Sequence, residues 1–386
     1  MKLLWRILAA IALGIGAAYV LPFWAGRVFM TFNAIFAQFL GFLIPLLILG
    51  YVAPAIAEIG TKAGKMLAAT ALLAYVMTLG AGWFSFGISA WSFPELISSG
   101  GQVGALEAGA AAPEAFFTVE MPPLFGVMTA LVLAFVMGLG MAYSGSSALK
   151  RGFDEFRVII SKTIMGVIIP LLPVYIFGIF LSMTMEGQVG RVLLTFVSII
   201  AVIFAMHVVL LLGQFTIAGI VDGRNPLKAL KTMLPAYFTA LGTQSSAATI
   251  PVTLRQVKAL GVNESTAGFV VPLCATIHMS GSALKITSCA LALMIMQGMP
   301  WSVGQFAGFI AMLGITIIAA PGVPGGAIMA SLGLLSSMLG FSEADNALMI
   351  ALYITMDSFG TACNVTGDGA IALIINRLFP PKAVSQ

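Results

Sequence analysis

The run Asp357-Ser-Phe-Gly-Thr361-Ala-Cys-Asn364-Val-Thr-Gly-Asp368 sets two carboxylates inside the last strongly apolar stretch of the chain. A carboxylate at bilayer depth is costly, so it persists where it faces a protein interior or a cavity and handles ions or substrate. On a helix, positions 357, 361, 364 and 368 fall at i, i+4, i+7 and i+11, a single face. Two acids, a hydroxyl and an amide therefore point the same way.

The rest of the chain makes this a membrane segment. Of 386 residues, 60% are hydrophobic and 8% charged, with mean hydropathy +1.06, whereas soluble domains carry roughly a quarter charged residues. The composition predicts an all-α polytopic membrane protein. Most Lys and Arg fall in short clusters between apolar runs, such as Lys62/Lys65, Lys150/Arg151, Arg224/Lys228/Lys231 and Arg255/Lys258. Such clusters mark the cytoplasmic face, so the net charge of +4 is topological and does not point to nucleic acid. The polar connection around residues 94 to 122 carries Glu95, Glu107, Glu114 and Glu120 with no basic residue, as expected on the opposite side. The basic start Met1-Lys-Leu-Leu-Trp-Arg6 has the look of a signal peptide, but an uncleaved first helix with a cytoplasmic N-terminus fits the loop charges better. Cys274, Cys289 and Cys363 lie in apolar segments without metal-ligand spacing and read as packing residues.

Apolar runs long enough to span, about 20 residues, occur near 3 to 23, 28 to 53, 66 to 92, 121 to 146, 158 to 184 and 190 to 220. The second half is broken by Gly, Pro and small polar residues. Residues 227 to 258 hold Leu241-Gly-Thr243-Gln244-Ser245-Ser246-Ala-Ala-Thr249-Ile-Pro251 between basic ends, so both ends lie on the cytoplasmic side and each arm is too short to span. That predicts a re-entrant hairpin whose non-helical tip must be buried in protein or line a cavity. A second hairpin is expected over 302 to 342, around Ala319-Ala-Pro321-Gly-Val-Pro324-Gly-Gly326, with both ends outside. Each is followed by an interrupted helix, 264 to 298 and 345 to 379. Hairpin plus helix from one side, then from the other, is an inverted repeat with its site at the bilayer midplane.

Leu241-Gly-Thr-Gln-Ser-Ser-Ala-Ala-Thr-Ile-Pro-Val-Thr253, Phe269-Val-Val-Pro-Leu-Cys-Ala-Thr-Ile-His-Met-Ser-Gly-Ser-Ala283, Gly322-Val-Pro-Gly-Gly326 and Asn364-Val-Thr-Gly-Asp368 resemble the signature segments of the dicarboxylate/amino acid:cation symporters, the glutamate transporter homologues. The resemblance implies eight transmembrane helices plus two re-entrant hairpins, a homotrimer and an elevator movement. Scaffold helices would occupy 1–60 and 121–186. A transport-domain helix would fill 61–93, an extracellular loop 94–120, and the remainder of the transport domain 187–386. It implies that Ser245, Ser246 and the backbone near Val323 and Gly325 hold a substrate carboxylate, that Asp357 accepts its ammonium, and that Thr361 and Asn364 complete the pocket. Asp368 and Asn364, with carbonyls near Cys274 and His278, would hold one sodium ion; Thr276 and Met279, with carbonyls of the second hairpin, would hold another. No cofactor beyond coupling ions is implied.

The residues themselves are suited to these roles. A zwitterion needs an anion for its ammonium and donors for its carboxylate, and sodium takes hard oxygen ligands.

Three positions depart from the family pattern. Gly360 stands where members that take acidic substrates carry an Arg, which leaves a side-chain carboxylate unpaired and favours a neutral amino acid. Ser280 stands where the family has an Asp, which weakens a further sodium site; Tyr75 and Thr78 retain a spacing that suits it. Lys285 lies at depth and needs Asp357, Asp368, a substrate carboxylate or the membrane boundary as partner. Lys285 and His278 are expected to replace part of the coupling-ion charge. The rival expectation gives Lys285 the absent Arg's task and restores dicarboxylate or acidic amino acid transport, and another is a proton-coupled carrier with an associated anion conductance. His207, alone in its apolar run, reads as packing. An intramembrane aspartyl protease is disfavoured, because both acids share one helix and Val365-Thr-Gly-Asp368 lacks the Gly-x-Gly-Asp form. The sequence therefore predicts a transporter in the cytoplasmic membrane with both termini inside, and not an enzyme.

Overall fold

The computed structural model describes residues 2–61, 65–99, 113–144, 147–187, 189–318, 320 and 325–380, and every regular element among them is helical. The first half consists of α1 (Lys2–Ala18), α2 (Phe23–Thr61), α3 (Lys65–Ser99), α4 (Val127–Ser144), α5 (Ser147–Thr163), α6 (Ile169–Met185) and α7 (Val189–Asp222). Among the described residues six segments are long and apolar enough to cross a membrane: Phe23–Pro54, Lys65–Ile97, Ser147–Met185, Val192–Asp222, Glu264–Met296 and Asp357–Leu378.

Two expected spans come out shorter. The run near 3 to 23 is helical only to Ala18, ahead of Pro22, and the run near 121 to 146 begins at Val127, after Pro122 and Pro123. Proline restricts the residue before it to extended backbone, so neither stretch continues the helix. The basic residues Lys150, Arg151 and Arg157, expected between the apolar runs near 121 to 146 and 158 to 184, lie within α5 and not in a loop. Phe153, Phe156 and Ile160 share one of its faces and join the core beside α2, where Tyr51 hydrogen-bonds Ser161. α5 runs into α6 through a π-helical segment, Ile164–Ile168. Pro170 lacks the N–H that would close the next turn, and the π-turn absorbs the mismatch.

The second half is segmented as its Gly and Pro pattern predicts. α8 (Pro226–Thr243) and α9 (Ser246–Ala259) form a hairpin around Gln244 and Ser245, and α10 (Glu264–Ile277) and α11 (Ser280–Met296) are separated by His278 and Met279. α12 (Val303–Ile318) and α13 (Gly326–Leu339) pack together, followed by α14 (Glu343–Thr355) and α15 (Asp357–Leu378), which break at Met356. Most of the second hairpin's tip, residues 319 and 321 to 324 with Val323, lies outside the described residues.

Packing sorts the helices. α1, α2, α4, α5 and α6 contact mainly one another, whereas α3 and α7 surround α10, α11 and α15 together with the hairpin α8–α9. The Glu264–Met296 and Asp357–Leu378 windows are 94% and 89% buried, against 39% for the α3 and α7 windows. A helix buried on all sides in an apolar protein is screened from lipid by its neighbours, so polar side chains on α11 and α15 face protein.

Candidate functional site

Four helices begin at one partly open cavity. It is lined by Gln244 and Ser246 of the first hairpin, Met279 and Ser282 at the α10–α11 break, Gly326 and Ala327 opening α13, Tyr353 of α14, and Asp357, Thr361 and Asn364 of α15. The N-termini of α9, α11, α13 and α15 thus converge there, and the free N–H groups and dipole of a helix N-terminus favour an anion such as a carboxylate. Gln244 adopts a left-handed conformation (φ 54°), which folds the α8–α9 tip. Ser245 caps α9 by accepting the Ala248 N–H at 3.3 Å, and the Thr243 and Thr249 hydroxyls meet at 3.0 Å.

Asp357 opens α15 at the cavity wall. Its Oδ2 accepts the Gly325 N–H at 2.8 Å, which ties the second hairpin to α15. Its Oδ1 lies 3.2 Å from Lys285 Nζ. The ammonium also donates to the Met356 carbonyl at 3.4 Å and sits 3.7 Å from the centre of the Tyr353 ring. Lys285 is fully buried and approaches Asp357 from behind the cavity wall. Gly360 makes the room: a Cβ there would collide with the Cε and Nζ of Lys285. The space beside Gly360 is therefore filled by a cation from the facing helix.

Asp368 lies three turns farther along α15, buried, with Oδ1 2.9 Å from His278 Nδ1. Gly367 admits that ring, because a Cβ would lie 2.5 Å from His278 Cε1 and 2.6 Å from Gln214 Oε1. Gln214 Nε2 donates to Ser280 Oγ at 3.1 Å. Between the acids, Asn364 Oδ1 accepts the Gly281 N–H at 2.7 Å, and its Nδ2 donates to Ser282 Oγ at 3.1 Å. Thr78 Oγ1 accepts the Met279 N–H at 3.3 Å, while Tyr75 donates to the Ala311 carbonyl at 3.2 Å and is directed away from the break.

The structure thus gathers Ser246, Met279, Asp357, Thr361 and Asn364 around the cavity. Asp368, His278 and Ser280 form a second polar layer. Thr276 is exposed at the end of α10, bonded to its own helix at the Leu273 carbonyl (2.7 Å), and the Cys274 carbonyl accepts the His278 N–H at 2.9 Å. A sodium ion taking ligands from Asp368 and Asn364 would share those side chains with the His278 ring and the Gly281 N–H. The three cysteines are free and buried, and no His, Cys, Asp and Glu cluster for a metal occurs among the described residues.

Sequence reasoning missed Gln214, Tyr353, Ser282 and Gln244 as site residues. Gln214 is a polar residue in a strongly apolar helix, and Tyr353 precedes Asp357 by one helical turn; both signals were available. His207, expected to be isolated, lies with Nε2 3.3 Å from the Gly281 carbonyl and so reaches the same break.

The serine/threonine transporter SstT of Acinetobacter baumannii is 28% identical over 385 residues, covering 95% of this chain and 94% of that protein. Excitatory amino acid transporter 4 of Mus musculus is 30% identical over 282 residues, 68% of this chain and 48% of its own length. An excitatory amino acid transporter of Caenorhabditis elegans is 28% identical over 269 residues, 67% and 52% respectively. The chain spans about half the length of these excitatory amino acid transporters. The profile of the sodium:dicarboxylate symporter family matches residues 3–378. Apolar helices throughout and a match of that extent make this a multi-pass membrane protein that belongs to the sodium:dicarboxylate symporter family, a family of symporters and not of enzymes.

Proposed function

We propose that the protein is a secondary active transporter that couples uptake of a small neutral amino acid to a cation, sodium, by an elevator movement. The observation that carries the substrate class is the pairing behind Gly360. Lys285 directs its ammonium to Asp357 and not into the cavity, so no cation there meets a substrate's side-chain carboxylate. The converging helix N-termini suit an α-carboxylate, and Asp357 suits an α-ammonium, because a carboxylate accepts about four hydrogen bonds and two are occupied. The serine/threonine relative, aligned over nearly the full chain, supports the same class.

In this reading eight helices span the bilayer and two hairpins enter it from opposite sides as an inverted repeat. Residues 1–60 and 121–186 form a scaffold, and α3 with 187–386 the moving unit; the loop expected from residue 94 can begin only after Ser99, where α3 ends. The separate packing of α1, α2, α4, α5 and α6 supports that division. The carrier works as a homotrimer in the cytoplasmic membrane, with both termini inside as the basic clusters indicate.

A thermal-shift screen of the purified protein against amino acids and dicarboxylates, each in sodium, potassium or choline chloride, tests the reading. A ligand that binds the folded state raises the midpoint by mass action. Serine or threonine is expected to raise it only with sodium, and a shift by aspartate or malate alone would overturn the substrate class. A second reading, proton coupling, draws on the His278 ring against Asp368; it is favoured if the amino-acid shift is indifferent to sodium and follows pH.

A further inference from the structure

Lys285 presents a cation where a mobile ion would otherwise be needed. Its Nζ sits among the Asp357 carboxylate at 3.2 Å, the Met356 carbonyl at 3.4 Å and the face of Tyr353 at 3.7 Å. A carboxylate, a carbonyl at a helix break and an aromatic face all attract positive charge. The residue is wholly buried at the middle of a buried helix, which leaves its ammonium no route to water by snorkelling. Gly360 is shaped to its tip. Lys285 also lies behind Asp357 and outside the cavity lining, so a substrate can enter without displacing it.

We propose that the Lys285 ammonium is a built-in monovalent cation, fixed in a cage formed by Asp357, the Met356 carbonyl and Tyr353, that keeps the pocket acid neutralised whether the site is loaded or empty. The carrier then returns empty without a counter-ion, a consequence that rests on the transport reading above. An uncompensated carboxylate crossing a bilayer would otherwise bear a heavy penalty. The cage also explains why Asp357 survives beside a cavity with no Arg.

The first test requires no substrate. Thermal midpoints are measured for the purified full chain, for Lys285→Met, and for Lys285→Met/Asp357→Asn, in sodium, potassium or choline chloride at equal ionic strength. Lys285→Met should unfold at a lower temperature in choline and regain stability with sodium or potassium, beyond any response of the parent, because a free ion fills the vacated cage. The double variant restores neutrality, so it should be the more stable of the two in choline and show no such gain. This holds even if Lys285→Met alone is recovered poorly. A Lys285→Met variant as stable as the parent, a cation gain that survives Asp357→Asn, or a double variant no better than the single overturns the proposal.

The second test compares exchange of labelled L-serine with net uptake into serine-free proteoliposomes. In Lys285→Met the ratio of net uptake to exchange should fall more than about tenfold below the parent's when only choline is inside, and equal losses in both would contradict the empty-return consequence. If the parent moves no serine in either mode, the transport reading is wrong as to substrate, while the thermal midpoints still decide the cage.

Discussion

The two acids of α15 share a helix face, yet the protein answers them with different cations. Asp357, at the cavity, meets Lys285, whereas Asp368, in the layer beneath, meets His278. Lys carries a compact point charge; an imidazole can be neutral or charged, and its neutral tautomer still donates one hydrogen bond. The pocket acid is therefore paired with an ammonium and the deeper acid with an imidazole.

Removing the acids should separate them most clearly. Asp357→Ala strands a buried ammonium, with a cost of about 3–5 kcal/mol in stability and loss of transport. Asp368→Asn retains an acceptor for a neutral His278 and should cost about 1 kcal/mol, while abolishing the sodium-dependent part of ligand-induced stabilisation. Chemical unfolding with and without sodium measures both, and equal losses would break the distinction.

Next in size is the exchange of one cation for another. Gly360→Arg alone should misfold or lose binding, because Lys285 fills that space. Gly360→Arg/Lys285→Ala should admit aspartate and improve its binding relative to serine by about 2–3 kcal/mol, the worth of a charge-assisted pair; competition binding reads the change. At the deeper acid, Gly367→Ala should push on His278 and Gln214, with a loss of about 1–3 kcal/mol from overpacking, read as a lower unfolding midpoint. The smallest effect is expected at the hairpin tip, where Ser245→Ala removes the cap of α9 at about 1 kcal/mol and weakens substrate affinity measured in the same competition assay.

Much of this was legible in the sequence because membrane constraints are severe. Charge density marked a multi-pass protein, and Gly, Pro and small polar residues inside apolar runs marked the hairpin and the two breaks that the structure contains. The common face of Asp357, Thr361, Asn364 and Asp368 followed from helical period alone. What was not legible depends on how distant segments meet. Lys285 had several candidate partners until α11 lay against α15, and Gln214 and His207 reached the α10–α11 break only once α7 packed beside it. The cluster at Lys150, Arg151 and Arg157 misled because a charged gap between two apolar runs does not say whether the chain there is loop or helix, and an amphipathic helix against α2 fills it.

The central claim, that Asp357 with its fixed lysine serves a neutral zwitterion driven by a cation gradient, is tested most directly by uptake of labelled L-serine into proteoliposomes under an imposed inward sodium gradient, with aspartate as competitor. The account predicts saturable uptake that collapses when the gradient is dissipated and is unaffected by aspartate. Unsaturable flux indifferent to the gradient, or uptake that aspartate blocks, would contradict it.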